Sequence, residues 1–226
     1  MEHYSIAIDG PAGSGKSTIA KLLSKRLGIV YVDTGAMYRG VAYYCMENGI
    51  STKDREAVEE AMDSIYMEIK MADGVQRIIL NGKDISPFIR TADVGQGASD
   101  VGVFAYVRER LVKIQQEMAE KMSVIMDGRD IGTVVLPKAE VKIYLVARTE
   151  ERARRRLKDY EAQGIKDSLS NVIEQIEKRD LNDMTRECNP LKKADDAIEI
   201  DSTNMTAEEV AETVINIVKE KVNTSE

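Results

Sequence analysis

The sequence predicts an α/β fold, in which a five-stranded parallel sheet is covered by helices on both faces and carries a small antiparallel insertion. Three observations lead to this prediction. Five short apolar runs alternate with segments of helical periodicity. The dipeptide Asn81-Gly82, which is typical of a two-residue hairpin turn, interrupts that alternation. With 226 residues, the chain is long enough for one large domain or for one domain with an insertion.

The composition argues against several classes of protein. The chain has 39 acidic and 32 basic residues and a net charge of -7, so it is a poor general ligand for nucleic acid or anionic lipid. Neither Cys45 nor Cys188 has a partner at the spacing of zinc ligands, and the only histidine is His3. No apolar run approaches the roughly 20 residues of a membrane span. We therefore expect a soluble, cytoplasmic protein with reduced thiols and with no nucleic-acid or membrane partner.

The N-terminal part predicts two strand–helix pairs. Apolar residues in a compact run or at helical spacing give a strand at 4–9, a helix at 16–27, a strand at 29–32 and a helix at 36–48. Gly28 and Gly49 are placed to end the two helices, Gly28 in a left-handed cap.

The pattern changes between about residues 51 and 86. A helix is predicted at 54–64, followed by strands at 66–71 and 75–80 that are joined at Asp73-Gly74. The turn at Asn81-Gly82 then predicts a third strand from Lys83. Three consecutive strands with short turns indicate an antiparallel unit, which we interpret as the insertion.

The remainder returns to alternating strands and helices. Helices are predicted at 92–100, 104–122, 149–163 and 170–182, and strands at 123–127, 141–146 and 197–201. The last helix runs to about residue 222 and begins with Thr206-x-x-Glu209, the spacing of a capping box.

A glycine-rich segment between the first strand and the first helix fits the pattern G-x-x-x-x-G-K-[ST], for which a chance match in such a chain occurs about 1% of the time. Its glycines let backbone N–H groups turn toward phosphate oxygens. Lys16 would neutralise the β- and γ-phosphates of ATP, and the Ser17 hydroxyl would bind Mg²⁺. The expected fold is therefore of the P-loop NTPase type. The expected ATP-binding residues are Gly10, Pro11, Ala12, Gly13, Ser14, Gly15, Lys16, Ser17 and Thr18.

Several arginines are candidates for binding phosphate at the carboxyl edge of the sheet. Arg39 lies just over a turn past Gly35, near the start of the second helix, although a surface arginine would fit equally well. Asp127 ends a strand and is expected to bind Mg²⁺, while Arg129 has the geometry to hold a phosphate with two hydrogen bonds. A tight turn that needs Gly and Asp is the alternative for this segment.

Two further groups of charged residues lie on predicted helices. Arg179, Asp183 and Arg186 share one face if their helix continues, which makes either an anion site or a solvated ion-pair face. Arg152, Arg155 and Arg156 share one face of their predicted helix and carry more positive charge than Glu150 and Glu151 can pair with. A helical lid that closes over transferring phosphates would use this charge.

Together these residues resemble the bacterial cytidylate kinases over nearly the whole chain. Five motifs carry the resemblance: Ile8-Asp9-Gly10-Pro11-x-Gly13-Ser14-Gly15-Lys16-Ser17; Asp33-Thr34-Gly35-Ala36-Met37-Tyr38-Arg39; Leu80-Asn81-Gly82-Lys83-Asp84-Ile85 with Ile89-Arg90-Thr91; Asp127-Gly128-Arg129-Asp130-Ile131-Gly132-Thr133-Val134-Val135; and Arg179-Asp180-x-x-Asp183-x-x-Arg186. The first motif is shared by many families, whereas the other four together are much more specific. The chain departs from the family at 102–107, where a usual proline before the cytosine-reading arginine is absent.

The resemblance implies an ATP-dependent phosphoryl transfer to CMP or dCMP by a monomeric enzyme. Its monophosphate site maps onto Thr34, Arg39, Ser99, Arg108, Arg129, Asp130, Arg179, Asp183 and Arg186. Within that set, Ser99, Arg108 and Asp130 would read the cytosine edge. The groups that act on the transferring phosphate would be Lys16, Arg129, Arg179 and Arg186, and the lid arginines would contact ATP.

The same resemblance gives the expected domain organisation. Residues 1–50, 87–148 and 165–226 would form the P-loop core, residues 51–86 the inserted monophosphate-binding part, and residues 149–164 the lid. Two alternatives stay open: a P-loop kinase for another monophosphate such as UMP or AMP, and an ATP-driven switch that is not a kinase.

Overall fold

The computed structural model describes residues 3–72, 75–162 and 164–223. Its strands are Ser5–Asp9 (β1), Val30–Asp33 (β2), Met67–Ala72 (β3), Val75–Leu80 (β4), Lys83–Asp84 (β5), Val124–Gly128 (β6), Val141–Val146 (β7) and Ile198–Asp201 (β8). Its α-helices are Lys16–Leu27 (α1), Thr34–Glu47 (α2), Arg55–Met62 (α3), Ala92–Val101 (α4), Ala105–Ala119 (α5), Thr149–Ala162 (α6), Leu169–Thr185 (α7) and Ala207–Asn223 (α8). A π-helix spans Ile131–Val135. Among the described residues, no helix has both the length and the apolarity that crossing a membrane requires.

The main sheet has five strands in the order β2-β6-β1-β7-β8, which confirms the predicted α/β fold. β1 pairs in parallel with both β6 and β7, so Ile8 lies beside Asp127 on one side and Ile143 on the other. Because parallel strands end at the same edge, this pairing brings the loop after β1 and the residues after β6 to one place.

The chain divides into two compact units. The first unit takes the described residues of 1–31 and 121–226, and the second takes 32–120. The first has an apolar core between the sheet and the helices α1 and α8, in which Ile6, Ile8, Leu23, Ile143 and Val214 are fully or almost fully buried.

The second unit contains the three-stranded antiparallel sheet β3-β4-β5, which lies inside the predicted segment 51–86. Asn81 and Gly82 both have positive φ angles (48° and 82°), as a two-residue hairpin turn requires. The Asp73-Gly74 turn lies outside the described residues. The unit extends beyond that segment because α2 packs against α4, and its core includes Cys45, which is fully buried. The separate roles predicted for 51–86 and 149–164 stay predictions.

Several helix ends differ from the prediction for local reasons. α2 begins at Thr34, two residues before the predicted start, because the Asp33 carboxylate caps it by accepting the Ala36 N–H at 2.9 Å. α7 continues to Thr185, three residues past the predicted end. α5 ends at Ala119 rather than at residue 122. The left-handed cap at Gly28 is confirmed, with a φ of 69° and its N–H on the Ser24 carbonyl.

Candidate active site

In the glycine-rich loop between β1 and α1, two positions have a backbone conformation and a close contact that favour glycine. Gly10 and Gly13 have φ angles of 148° and 74°. A Cβ on Gly10 would lie 2.1 Å from the Leu145 carbonyl oxygen, and one on Gly13 would lie 3.2 Å from the Cβ of Arg152. Because these two residues have no side chain, the loop can lie close to β7 and α6.

Lys16, the first residue of α1, is only 6% exposed. Its Nζ donates to the Pro11 carbonyl at 2.7 Å and to the Ser14 hydroxyl at 3.3 Å. Burial lowers the pKa of Lys16 well below its usual value, and the charges of Arg129 and Arg179 lower it further. A desolvated ammonium beside two guanidinium groups favours a ligand with several negative charges, such as a polyphosphate.

The two residues predicted to bind Mg²⁺, Ser17 and Asp127, lie in hydrogen-bond contact in the first unit. The Ser17 hydroxyl donates to Asp127 Oδ2 at 2.8 Å, and the Tyr31 hydroxyl donates to Oδ1 at 2.8 Å. Among the described residues, no group of three or more His, Cys, Asp or Glu side chains could hold a metal ion. One hydroxyl and one carboxylate suit Mg²⁺, which usually completes its shell with phosphate oxygens and water. Tyr31 was not predicted, because nothing in its strand distinguishes it from a core aromatic residue.

The arginine and aspartate motifs of the first unit form one ion-pair cluster. Arg129 Nε donates to Asp183 Oδ2 at 2.6 Å, and Arg186 lies 3.8 Å from the other oxygen of Asp183. Arg186 also lies 3.4 Å from Asp130 and donates through Nε to the Asn189 carbonyl at 2.7 Å. Asp183 therefore pairs with both Arg129 and Arg186, although α7 ends at Thr185 and does not include Arg186. An anion site on these residues stays a prediction.

Within this cluster, the charges of Arg129 and Asp183 favour each other's ionised form. Burial disfavours the carboxylate of Asp183, but the charges of Arg129, Arg179 and Arg186 hold its pKa below the usual value. Burial likewise disfavours the charged form of Arg129, but Asp183 leaves its pKa above the usual value. The cluster thus has three arginines and two carboxylates, Asp183 and Asp130, and this excess of positive charge suits a phosphate.

Asp9, at the end of β1, is a buried carboxylate whose role the sequence did not reveal. It accepts the N–H groups of Ile131 and Gly132 at 2.8 and 2.7 Å, so it fixes the start of the π-helix next to Arg129 and Asp130. Burial raises its pKa to about 6, although these two backbone hydrogen bonds oppose the shift. Its position just before the glycine-rich loop is the one sequence signal that marks it.

The three arginines predicted for the lid have protein partners. Arg152 is 6% exposed and donates to the Ala12 carbonyl at 2.8 Å. Arg155 donates to the Ser202 carbonyl at 2.6 Å. Arg156 lies over the Tyr160 ring at 5.3 Å and donates to its hydroxyl at 2.9 Å. Contact of these side chains with ATP stays a prediction.

In the second unit, the four predicted substrate residues lie on α2, α4 and α5. Thr34 is buried at the start of α2, and Arg39 pairs with Asp33 at 2.8 Å. On α4, the Ser99 hydroxyl lies 3.5 Å from the Gly95 carbonyl. On α5, Arg108 is 2% exposed, lies 5.4 Å from the Tyr38 ring and donates to the Gly102 carbonyl at 3.1 Å. α5 begins at Ala105 without the family's usual proline, and Arg108 lies in its first turn.

The comparisons with known proteins agree with the motifs. The family described as cytidylate kinase matches residues 6–220. A cytidylate kinase from Caldicellulosiruptor bescii is 51% identical over 217 residues, which cover 96% of each chain. A cytidylate kinase from Lactobacillus johnsonii is 47% identical over 216 residues, which cover 96% of this chain and 94% of the relative.

A solved structure of an uncharacterized protein from Eubacterium ventriosum has the same fold. It has a TM-score of 0.53 and 13% sequence identity, and the match covers 96% of this chain and 99% of that one. The family match spans the glycine-rich loop, Asp127 near the end of β6 and the arginine cluster, which are the features that the structure assembles around Lys16. The chain belongs to the cytidylate kinase family.

Proposed function

We propose that the chain transfers the γ-phosphoryl group of ATP to the phosphate of CMP or dCMP, which gives ADP and CDP or dCDP. The activity class follows from the family. The observation that carries the proposal for this site is the half-buried Arg129–Asp183 pair, whose arginine also acts electrostatically on Lys16 of the phosphate loop. One unit would thus supply the groups that bind the donor phosphates and also cationic groups that bind an acceptor phosphate.

The acceptor in this reaction is already an oxyanion, so no side chain has to act as a strong base. Lys16 would bind the β- and γ-phosphates, and Arg129, Arg179 and Arg186 would hold the acceptor phosphate in line with the bond that breaks. Their charges would stabilise the equatorial oxygens of the transferring group. The ion pairs with Asp183 support this role, because they fix the orientation of two of the guanidinium planes.

Ser17 and Asp127 would hold Mg²⁺ in this site. The ion, when bound, would neutralise charge on the β- and γ-phosphates. The chain itself provides the preorganisation, since Tyr31 fixes Oδ1 of Asp127 and leaves Oδ2 directed at the Ser17 hydroxyl.

We assign the choice of base to three residues on the basis of the resemblance and of hydrogen-bond chemistry. Cytosine offers an amino donor, which suits the Asp130 carboxylate, and ring and carbonyl acceptors, which suit Arg108 and Ser99. Asp183 and Thr34 would lie near the ribose or the phosphate. Arg39 would bind the acceptor phosphate. Adenine lacks the carbonyl acceptor of cytosine and is larger.

A coupled assay of ADP release with MgATP and each nucleoside monophosphate in turn tests the proposal. We expect release that depends on CMP and dCMP and that is weak with UMP and AMP. Turnover with another monophosphate would keep the phosphate chemistry and overturn the cytosine assignment. Release without any acceptor would instead favour an ATPase. The cytoplasmic location, the monomeric state and the absence of nucleic-acid partners stay predictions.

A further inference from the structure

A buried ion pair lies directly behind the phosphate loop of the first unit. Arg152 of α6 and Asp180 of α7 are 6% and 7% exposed, and Arg152 Nη1 donates to Asp180 Oδ2. A buried pair of this kind has a large desolvation cost, which good geometry and additional hydrogen bonds must offset. Two of the additional hydrogen bonds of this pair go to the backbone of one residue, Ala12.

Both polar groups of Ala12, in the middle of the loop, bind this pair. The Ala12 N–H donates to Asp180 Oδ1 at 2.8 Å, and the Ala12 carbonyl accepts from Arg152 Nη1 at 2.8 Å. Arg152 Nε and Nη2 donate to the Ala147 carbonyl at 3.0 Å and to the Thr149 hydroxyl at 2.9 Å. These contacts use four of the five N–H donors of a guanidinium group and fix its plane.

The position of Ala12 in the loop makes this contact important for binding phosphate. The preceding carbonyl, of Pro11, accepts the Lys16 ammonium, and the following residue is Gly13, whose missing side chain leaves room for Arg152. The orientation of these peptides determines where the backbone N–H groups of the loop point. Two helices far along the chain therefore shape the loop through one pair of side chains.

We propose that Arg152 and Asp180 act as one unit of positioning residues that fixes the conformation of the phosphate loop, and that Arg152 is not itself a ligand of the ATP phosphates. The inference rests on the proposed function only for the identity of the nucleotide. It differs from the ATP contact predicted for Arg152, because helical spacing places an arginine on a face but does not reveal its partner. Asp180 acts through the loop and does not have to touch the substrate.

A double-mutant cycle on the full chain tests the proposal, with the variants Arg152→Gln, Asp180→Asn and the double variant. The measurement is the dissociation constant of MgADP by titration calorimetry, which requires no acceptor and no turnover. We expect each single variant to raise the constant about tenfold or more, because it leaves a buried charge and a loop peptide without a partner. We expect the dissociation constant of the double variant to be no higher than that of the single variant that binds MgADP more weakly, because the pair acts as a unit.

Other outcomes of the cycle would overturn the proposal. If Arg152 binds the phosphates directly, Arg152→Gln weakens binding while Asp180→Asn leaves it unchanged, or the two effects add. An unchanged dissociation constant in both single variants would overturn it as well. Arg154→Gln is the matched control, since Arg154 lies on the same helix, exposed, and pairs with Glu150 at 2.6 Å. We expect wild-type affinity for this control.

A conservative variant keeps the test decisive if a single variant does not fold. Arg152→Lys retains the charge but lacks the planar fork, so we expect it to remain folded and still to bind MgADP several-fold more weakly. Wild-type affinity of Arg152→Lys would mean that only the charge matters and would overturn the positioning role. CMP-dependent ADP release by the wild type is measured separately, so its absence would overturn the proposed function while the cycle still tests the pair.

Discussion

The Ser17 hydroxyl lies 2.8 Å from Asp127 Oδ2, although the two residues are 110 positions apart in the chain. The parallel pairing of β1 with β6 produces this contact, because it places the end of β6 next to the strand that leads into the phosphate loop. A hydroxyl and a carboxylate are suitable protein ligands for Mg²⁺, and we propose that this pair holds the ion.

Asp127→Asn removes the charge from this site and keeps its shape. We expect the Mg²⁺ concentration for half-maximal ADP release to rise about tenfold or more, because a neutral amide binds the cation more weakly than a carboxylate does. A titration of activity with MgCl₂ at fixed ATP measures the change. Tyr31→Phe, which removes only the hydrogen bond to Oδ1, is the control and should shift the midpoint much less. Equal midpoints for Asp127→Asn and the wild type would exclude Asp127 as a ligand.

Arg129→Ala removes the guanidinium that is held by Asp183 at 2.6 Å. We expect kcat for CMP to fall by about two to three orders of magnitude, because charge on the transferring phosphoryl group loses its stabilisation. The dissociation constant for MgATP should stay within a few-fold of the wild type, as Lys16 and the loop remain. The kcat of Arg129→Lys should lie between that of Arg129→Ala and that of the wild type. Unchanged turnover in Arg129→Ala would contradict the assigned role.

Asp130→Asn tests the reading of the base. A carboxylate accepts a hydrogen bond from the amino group of cytosine, whereas an amide can also donate to the carbonyl of uracil. We expect the ratio of kcat/KM for CMP to that for UMP to fall at least about tenfold. Steady-state kinetics with both nucleotides measures this ratio. A ratio that stays at the wild-type value would remove Asp130 from the base-reading set.

Asp9 predicts a contribution to stability that depends on pH. Its pKa in the folded protein is raised to about 6 from 3.8, so the folded state binds more protons than the unfolded state between these values. This part of the stability is present below pH 3.8 and is lost as the pH rises through 6. We expect the unfolding free energy of the wild type, relative to Asp9→Asn, to fall by about 2 kcal/mol between pH 4.5 and 7.5. Urea unfolding at the two pH values measures the difference, and a constant difference would refute the shift.

Gly97 and Gly95 give a matched pair for packing in the second unit. A Cβ on Gly97 would lie 2.7 Å from the Met46 Cε and 3.1 Å from the Ala42 Cβ, whereas nothing lies within 4 Å of a Cβ on Gly95. We expect Gly97→Ala to destabilise the protein by about 1–3 kcal/mol through overpacking of α4 on α2. We expect Gly95→Ala to stabilise it by up to about 1 kcal/mol through helix propensity. Chemical unfolding measures the change in the free energy of unfolding for both variants. Equal changes would contradict the close packing at Gly97.

Local patterns predicted most of the fold, because the signals are contained within single elements. The glycine at the end of α1, the turn at Asn81-Gly82 and the Thr206–Glu209 capping box all occur as expected, the last with mutual hydrogen bonds of 2.8 and 3.2 Å. The ends of helices were less accurate, since a cap such as Asp33 moves a boundary by two residues.

The partners of the site residues could not be predicted in the same way. The face shared by Arg152, Arg155 and Arg156 suggested phosphate binding, yet the partner of Arg152 is Asp180, 28 residues later, together with a loop peptide 140 residues earlier. Asp9 likewise accepts the N–H of Ile131, which lies 122 residues later in the chain. Such contacts depend on strand order and register, which helical spacing does not contain.

The burial of Cys45 has a practical consequence for spectroscopy. Both cysteines are free thiols, but Cys45 is fully buried, and burial raises its pKa to about 11, so it reacts slowly with an alkylating dye. Cys188 is partly exposed and lies two residues after Arg186. A maleimide fluorophore on the unmodified chain should therefore attach at a single point, where its emission reports on the surroundings of Arg186 during titration with CMP.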